Sequence, residues 1–428
     1  MDSGNTAWVL ASSALVLFMT PGLAFFYGGM VRGKNVLAML MQNFFSMGLV
    51  SVLWALIACS LAFGDGGKFI GDLSLAGLKD LAGAKDVMPG FVDDAGASLL
   101  TIPPLVFVAF QLMFAIITPA LITGAIADRM KFRAWAVFLG AWLLLVYAPV
   151  AHWVFSPFGW LFDLGALDFA GGTVVHINAG IAALAVCCVL GKRKGWPADA
   201  MPPHSLPFTL LGTGILWFGW FGFNAGSALA ADGIAAQAFL NTNNAAAAAM
   251  LGWLVVERLK GGHATTLGAA SGAVAGLVAI TPCAGFVGGM SPLIIGFIAG
   301  VVCFLAIQLK YKLGYDDSLD VVGVHLVGGI VGSLLLGLFA DEAVNAVVTS
   351  DTQGLLVGGG VTLLGNQLIA VLATIAWSGG ISFILAKVIS ATIGLRCDEE
   401  EEQQGLDTTQ HAETAYSFGE LGSMGRIG

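Results

Sequence analysis

The sequence predicts an all-α polytopic membrane protein with eleven transmembrane helices, arranged as two inverted five-helix halves plus a final helix. Hydrophobic residues make up 57% of the 428 residues and charged residues only 11%, whereas soluble domains carry roughly 25% charged residues. Apolar runs recur along the chain, each close to the roughly 20 residues that cross a bilayer core. A segment centred on a histidine also recurs five runs later. These observations exclude a water-soluble globule.

The apolar runs are separated by segments that hold nearly all of the charge. The segment between the second and third runs is longer than the others and rich in Asp and Gly, and the tail after the last run is polar and acidic. No run shows the sustained alternation of a membrane β-barrel, so we expect helices. The runs lie at about 6–30, 38–63, 101–127, 132–155, 171–191, 206–229, 236–256, 265–287, 291–311, 321–340 and 365–395.

The basic residues predict the orientation of these helices. With the N-terminus outside, all but three of the 18 Lys and Arg residues fall on the cytoplasmic side, Arg426 near the C-terminus among them. Cytoplasmic loops normally carry this excess of positive charge, so we expect the N-terminus outside and the C-terminus in the cytoplasm. The start of the chain has no basic region before its first run, so no cleaved signal peptide is expected. The three exceptions are Lys68, Lys79 and Lys85.

An internal repeat underlies the division into halves. "TVVHINAGIA" (173–182) in the fifth run matches "VGVHLVGGIV" (322–331) in the tenth, and Asp168 and Asp320 precede the two copies. An offset of five helices inverts the topology of the second copy, as in many transporters. The predicted units are a first half at about 6–191, a second half at about 206–340, an eleventh helix at about 365–395 and a cytoplasmic tail at 396–428.

Two histidines are candidates for a functional site inside the membrane. His176 and His325 lie in the middle of the repeated runs at equivalent depths, and a buried histidine can simply join two helices by a hydrogen bond. A symmetry-related pair favours a pore, because ionisable groups inside a membrane usually mark a substrate or proton path. The other four fall in loops, near the ends of runs or in the tail (His152, His204, His263 and His411).

Aromatic residues near the repeated segments are candidates for the mouth of that pore. Phe110 and Phe114 share one face of the third run, and Trp220, Phe223 and Ser227 follow helical spacing on the sixth. Ring faces can hold a cation at a pore mouth, although ordinary packing is the alternative for each residue. Two imidazoles without a ring of carboxylates or carbonyls do not suit a metal ion, so we expect a small solute that crosses uncharged.

Four motifs resemble those of the Amt/Mep/Rh ammonium transporter family, on its bacterial Amt side. They are "TPGLAFFYGGMVRGKN" (20–35), "DFAGGTVVHINAG" (168–180), "WFGFNAGSA" (220–228) and "DVVGVHLVGGIVG" (320–332). The resemblance runs from about residue 6 into the tail. It implies eleven helices, a homotrimer with one pore in each subunit, and movement of ammonium across the plasma membrane.

The resemblance also implies roles for single residues. His176 and His325 match the twin pore histidines of the family, and Phe114 and Phe223 match the phenylalanine gate. Ammonium would be recruited outside that gate by an aromatic face and a hydroxyl acceptor. The residues that match this recruitment site and its surroundings are Phe110, Ser227, Phe155, Trp220 and Asp168.

Two of these assignments carry alternatives. Bacterial members usually place a tryptophan where this chain has Phe155, and Trp153 or Trp160 could take its place after a local shift. Phenylalanine binds a cation less strongly than tryptophan does, so weaker recruitment is expected if Phe155 occupies the site. Asp168 suits either a helix N-cap or a buried charge that favours the cation from a distance.

The predicted function is ammonium transport, in which ammonium loses its proton at the gate and ammonia passes the histidines. Relay of the proton would make transport electrogenic; an electroneutral gas channel and an ammonium sensor are the alternatives. The tail motif "GLDTTQHAETAYSFG" (405–419) resembles the cytoplasmic element that a PII protein such as GlnK binds, although a disordered acidic tail would also fit its composition. No CxxC or HExxH occurs, so no metal site, cofactor or enzymatic activity is predicted. No nucleic-acid partner is expected.

Overall fold

The computed structural model describes residues 1–82, 87–92 and 95–416, and this part of the chain is helical without a named strand. Lys85 and Arg426, two of the basic residues on which the predicted orientation of the helices depends, lie outside the described residues. Within the described part, nine helices are long and apolar enough to cross a membrane. The chain is therefore a multi-pass membrane protein.

Each predicted apolar run overlaps a helix. Several of these helices are composite: α2 and α4 contain π-helical turns, α4 breaks after Phe155, and α9 is interrupted after Ala306. The helices are α1 (Ser3–Met30), α2 (Gly33–Phe63), α3 (Pro104–Ile126), α4 (Phe132–Asp163), α5 (Gly172–Leu190), α6 (Leu206–Gly226), α7 (Gly233–Gly261), α8 (Thr266–Ile280), α9 (Ser291–Leu313), α10 (Val322–Phe339) and α11 (Thr362–Thr392).

Helices α7 and α8 are not full-length apolar spans, α7 because of its polar residues and α8 because of its length. α7 is long enough, but it carries Asn and Thr through its middle, where Asn241 donates to the carbonyl oxygens of Ala284 and Val287. α8 ends at Ile280, several residues before the predicted end near 287. Pro282 follows, and a proline has no N–H with which to continue the helical hydrogen bonds.

The helices α5 and α10 begin in the same unusual way. Each opens with a π-helical segment, Gly172–Ile177 in α5 and Val322–Leu326 in α10, before continuing as a regular α-helix. Each π-helical segment contains one of the two central histidines. Such segments are rare and occur frequently at functional sites.

Glycines allow the two pairs of central helices to approach closely. A Cβ atom at Gly212 of α6 would collide with the backbone of Phe26 on α1, and a Cβ atom at Gly180 of α5 would collide with the backbone of Leu326 on α10. Small residues at such crossings are typical of helices packed in a bilayer. α1 therefore packs along α6, and α5 crosses α10 next to the histidines.

The outer surface of the helices is apolar, as contact with lipid requires. α11 shows this best, because its exposed face carries large hydrophobic side chains along its whole length. In water such a surface would be a large unpaired apolar patch. The exposed residues on this face are Leu368, Ile369, Leu372, Phe383, Ile384 and Val388.

The described part of the tail folds against the ends of the helices. It forms two short helices, α12 (Glu399–Gln404) and α13 (Leu406–His411). The buried carboxylate of Glu402 accepts hydrogen bonds from the backbone N–H of Lys194 and from the guanidinium of Arg396. Asp407 accepts a hydrogen bond from the backbone N–H of Ala38. As far as it is described, the tail is docked and helical.

Candidate functional site: a gated histidine pair

The two central histidines face each other inside the helix bundle. The Nδ1 atoms of His176 and His325 are 3.2 Å apart, and the rings are nearly parallel, with centroids 5.3 Å apart and an interplanar angle of 21°. Both side chains are buried. One Nδ1 must donate and the other accept, because a hydrogen bond between two neutral imidazoles uses one proton.

Aspartates upstream fix the helix starts that carry these histidines. Asp168, eight residues before His176, accepts backbone hydrogen bonds from Gly171 at 2.8 Å, Gly172 at 2.7 Å and Thr173 at 2.8 Å. The Thr173 hydroxyl donates to it as well. Asp168 thus caps α5, which satisfies the free N–H groups of the first turn.

In the second half the matching cap is Asp317, not Asp320. Asp317 lies eight residues before His325, and its carboxylate accepts from the backbone N–H of Val322 at 2.7 Å. Asp320 has a φ of 64° and pairs with Lys310 instead. Burial raises the pKa of Asp317 to about 6, against the opposing charge of Lys310. Asp320, the aspartate nearest to the second repeat in the sequence, therefore does not take the role that Asp168 has before the first.

Aromatic rings continue the stack above His176. The ring of Trp220 lies 5.5 Å from the His176 ring at an interplanar angle of 18°, and the ring of Phe223 lies 6.1 Å away at 23°. The indole N–H of Trp220 donates to the Thr281 hydroxyl at 2.9 Å, which holds that ring in place. Trp220 therefore lines the passage beside the histidines.

Phe114 and Phe223 close this passage on the side away from His325. Their centroids are 4.4 Å apart at an interplanar angle of 46°, and both rings are buried. Little free volume remains around the histidines, where a narrow apolar cavity of about 10 Å³ is lined by Phe223, His176 and His325 among others. The phenylalanine pair is a closed constriction.

On the other side of this constriction lies a larger cavity of about 110 Å³. It is lined by Phe110, Phe155 and Ser227, and by Phe114 of the constriction. The first three residues were predicted from the sequence to form one recruitment site. Phe110 meets Phe114 edge to face, with centroids 4.9 Å apart. The Ser227 hydroxyl donates to the carbonyl oxygen of Phe223 at 2.8 Å, so its lone pairs are free to accept.

Trp153 and Trp160, the alternatives to Phe155, do not line this cavity. The indole N–H of Trp153 donates to the carbonyl oxygen of Phe69, and the two tryptophans pack edge to face 5.8 Å apart. Asp168 also lies outside the lining, with both carboxylate oxygens engaged in capping α5. Of the three aromatic candidates, Phe155 alone has a ring at the cavity.

Sequence reasoning missed part of this lining. Phe107 and Gln111 share the face of α3 that carries Phe110 and Phe114, so helical spacing could have identified them. The others are Phe91, Phe169 and Leu229, which lie outside the regular helices and gave no periodic signal.

One histidine near the end of a run is more deeply buried than the sequence indicated. His152 was expected near the end of the fourth run, yet its side chain is fully buried, with Nδ1 2.9 Å from the carbonyl oxygen of Ala62 and Nε2 2.6 Å from that of Gly67. The two carbonyl groups belong to the end of α2 and to the segment after it, a long-range contact that the length of the apolar run did not indicate.

Comparison with known proteins agrees with this arrangement. The model of the Ammonium Transporter Family matches residues 7–416. An ammonium transporter of Mycobacterium tuberculosis is 55% identical over 97% of this chain and 91% of its own length. The crystal structure of Candida albicans Mep2 superposes with a TM-score of 0.85 at 36% identity, covering 94% of this chain and 88% of that one.

A structure described as a sensor Amt protein is also similar, with a TM-score of 0.85 at 30% identity over 96% of this chain and 98% of that one. The family match covers nearly the whole chain, including both histidine segments and the aromatic constriction. The chain belongs to the Ammonium Transporter Family.

Proposed function

We propose that this protein is an ammonium transporter of the bacterial Amt type. The observation that carries the proposal is the closed pair Phe114–Phe223, which separates an aromatic cavity from a buried histidine pair. An aromatic cavity suits a cation, whereas the apolar passage beyond it suits a neutral molecule. Ammonium can be both, because it becomes ammonia when it gives up a proton.

Recruitment takes place in the outer cavity. Phe110 and Phe155 offer ring faces to the cation, and the Ser227 hydroxyl accepts a hydrogen bond from it. Trp220 continues the aromatic lining towards the histidines. Asp168 acts indirectly, by capping α5 and so fixing the position of His176.

Passage requires the gate to open and the ion to lose its charge. Moving an ion into an apolar site costs several kcal/mol unless the charge is neutralised. Ammonium avoids that cost by releasing a proton, and potassium cannot. The apolar passage lined by Phe223 and His325 thereby selects ammonium over potassium.

The histidine pair can relay the released proton. With Nδ1–H on His176 donating to Nδ1 of His325, the Nε2 atom of His176 is a free acceptor and Nε2 of His325 carries a proton. Nε2 of His176 takes up one proton, the Nδ1–H proton moves across the 3.2 Å hydrogen bond, and His325 releases its Nε2 proton. One proton enters and one leaves, so the relay is balanced and transport is electrogenic.

The remaining features of the proposal concern the whole protein. The eleven helices α1 to α11 cross the plasma membrane as two inverted halves and a last helix, with the N-terminus outside and the tail in the cytoplasm. The protein assembles as a homotrimer with one pore in each subunit. A PII-type signalling protein such as GlnK binds the cytoplasmic face near the docked tail. The family membership and the docking of α12 and α13 support these points.

The current across a proteoliposome membrane after an ammonium pulse tests the proposal, with a potassium pulse as control. A current for ammonium alone supports electrogenic transport. Uptake without current supports an electroneutral gas channel. The absence of both uptake and current would contradict transport. It would favour a sensor, a role named for one structural relative.

Replacing both histidines tests their part in the mechanism. The double variant His176→Ala and His325→Ala should lose the ammonium current or admit potassium, because the relay and the narrow lining are removed together. The variant's fold is checked by thermal unfolding in detergent. Unchanged current and unchanged selectivity would remove the histidines from the mechanism.

A further inference from the structure

The outer cavity holds few polar groups in an otherwise apolar lining. Of the nine side chains that line it in the described part of the chain, only Ser227 and Gln111 are polar. Ser227 supplies a single hydroxyl oxygen as an acceptor, since its proton is already donated to the carbonyl oxygen of Phe223. An ammonium ion carries four N–H donors, so one acceptor leaves most of its hydrogen-bonding capacity unused.

Gln111 has the property that a second acceptor requires. Its side chain is only 8% exposed, and within the described part of the chain its Oε1 atom is enclosed without a hydrogen-bond partner. Buried carbonyl oxygens are normally paired, and an unpaired one is destabilising. The site therefore favours a ligand that brings N–H donors.

The position of Gln111 on α3 suits contact with a cation in the cavity. It directly follows Phe110, and it lies three residues before Phe114 of the constriction. The last torsion of a glutamine side chain is broad and roughly two-fold, so the amide can turn its oxygen towards a donor at low cost. Its neighbours are aromatic rings, which cannot compete as strong acceptors.

We propose that Gln111 accepts a hydrogen bond from the incoming ammonium ion and, together with Ser227, sets the affinity of the outer cavity. This inference rests on the proposed function and adds a binding residue to it. Two oxygens and aromatic faces satisfy a tetrahedral donor. They are too few to replace the hydration shell of potassium, which needs a ring of oxygens.

The test compares ammonium uptake by Gln111→Met with that of a matched control, Gln42→Met. Gln42 on α2 is also buried with an unpartnered Oε1 atom, but it does not line the cavity. Methionine keeps the length of the side chain and removes the acceptor. We expect the half-saturation concentration to rise about tenfold or more in Gln111→Met, as for loss of a hydrogen bond to a charged group, with the maximal rate kept within about twofold.

Gln111→Glu separates hydrogen bonding from packing. It keeps the oxygen acceptors and adds a charge that attracts cations, so its half-saturation concentration should stay at or below that of the unmodified protein. An unchanged value in Gln111→Met, equal rises in both methionine variants, or a Glu variant as weak as the Met variant would overturn the inference. Absence of ammonium uptake by the unmodified protein would instead overturn the proposed function, and this inference with it.

Discussion

At the scale of single residues, the outer cavity has Phe155 at the position where bacterial members of the family usually have a tryptophan. Phe155 lines the cavity at the point where α4 breaks, while Trp153 and Trp160 pack against each other elsewhere. Cation binding by a ring increases from phenylalanine to tryptophan. In the proposed function, the identity of this one residue therefore sets how firmly the cavity holds ammonium.

Replacing Phe155 with tryptophan should tighten recruitment. We expect the half-saturation concentration for ammonium uptake to fall roughly two- to fivefold, because the indole face binds cations more strongly. Phe162→Trp is the control, since Phe162 is exposed and does not line the cavity. An unchanged half-saturation in Phe155→Trp would mean that this ring does not contact the ion.

Residues with a periodic or repeated signature could be identified from the sequence, and others could not. The repeat located His176 and His325, and helical spacing located Phe110 and Phe114. Phe91 and Phe169 reach the cavity from irregular segments, where only the folded chain determines the neighbours of a side chain. Their places depend on long-range packing, which leaves no local pattern.

At the scale of helices, the crossing of α5 and α10 determines the geometry of the histidine pair. Gly180 lies against the backbone of Leu326, the residue after His325. A Cβ atom added at Gly329 of α10 would lie 3.2 Å from the Cβ atom of His176. Any added side-chain atom at this crossing would move one histidine relative to the other.

Gly180→Ala should destabilise the protein and impair transport together. Overpacking of a tight contact costs about 1–3 kcal/mol, and the shift would lengthen the 3.2 Å hydrogen bond between the histidines. The measurements are thermal unfolding in detergent and ammonium uptake. Gly214→Ala on α6 is the control, because a Cβ atom there meets no atom within 4 Å. Equal behaviour of the two variants would contradict the close crossing.

The cap of α10 should make stability depend on pH. Burial raises the pKa of Asp317 from 3.8 to about 6, so the folded protein binds this proton more tightly than the unfolded chain does. Its contribution is therefore favourable at low pH and is lost as pH rises between about 4 and 6. Asp317→Asn removes this titration, and the variant should gain stability relative to the unmodified protein across that window.

Unfolding temperatures at pH 4, 5, 6 and 7 measure this effect. Asp351→Asn is the control, because Asp351 is an exposed loop residue. Parallel pH curves for Asp317→Asn and the unmodified protein would show that the cap does not titrate in this range.

At the scale of the whole molecule, apolar length and charge placement were enough to locate the helices. Each predicted run overlaps a helix, yet the π-helical starts of α5 and α10 and the break in α4 had no sequence signature. The acidic run 398–402 suggested either disorder or a docked tail, and composition could not decide between them. Glu402 decides for docking because it accepts a hydrogen bond from the backbone N–H of Lys194, 208 residues earlier in the chain, so the answer depends on tertiary structure.

Glu402→Gln should loosen the tail from the ends of the helices. The change removes the charge from a carboxylate that is 1% exposed, accepts a hydrogen bond from the backbone N–H of Lys194 and pairs with Arg396. Arg396 is one-third exposed, so we expect a cost of only about 1–2 kcal/mol and a several-fold increase in the open fraction of the tail. Limited proteolysis measures that fraction, with the exposed Glu400→Gln as control. Equal cleavage rates in both variants would exclude Glu402 as the anchor.

In the proposed relay, the single hydrogen bond between the histidines allows only one proton transfer before the pair must be reset. After a proton has crossed, His325 holds the bridging proton and His176 holds the outer one, so the polarity of the pair is reversed. A second proton cannot follow in the same direction until both rings return to their starting tautomers. We expect this resetting step to slow the turnover of the relay. A slower rate in heavy water would be its kinetic signature.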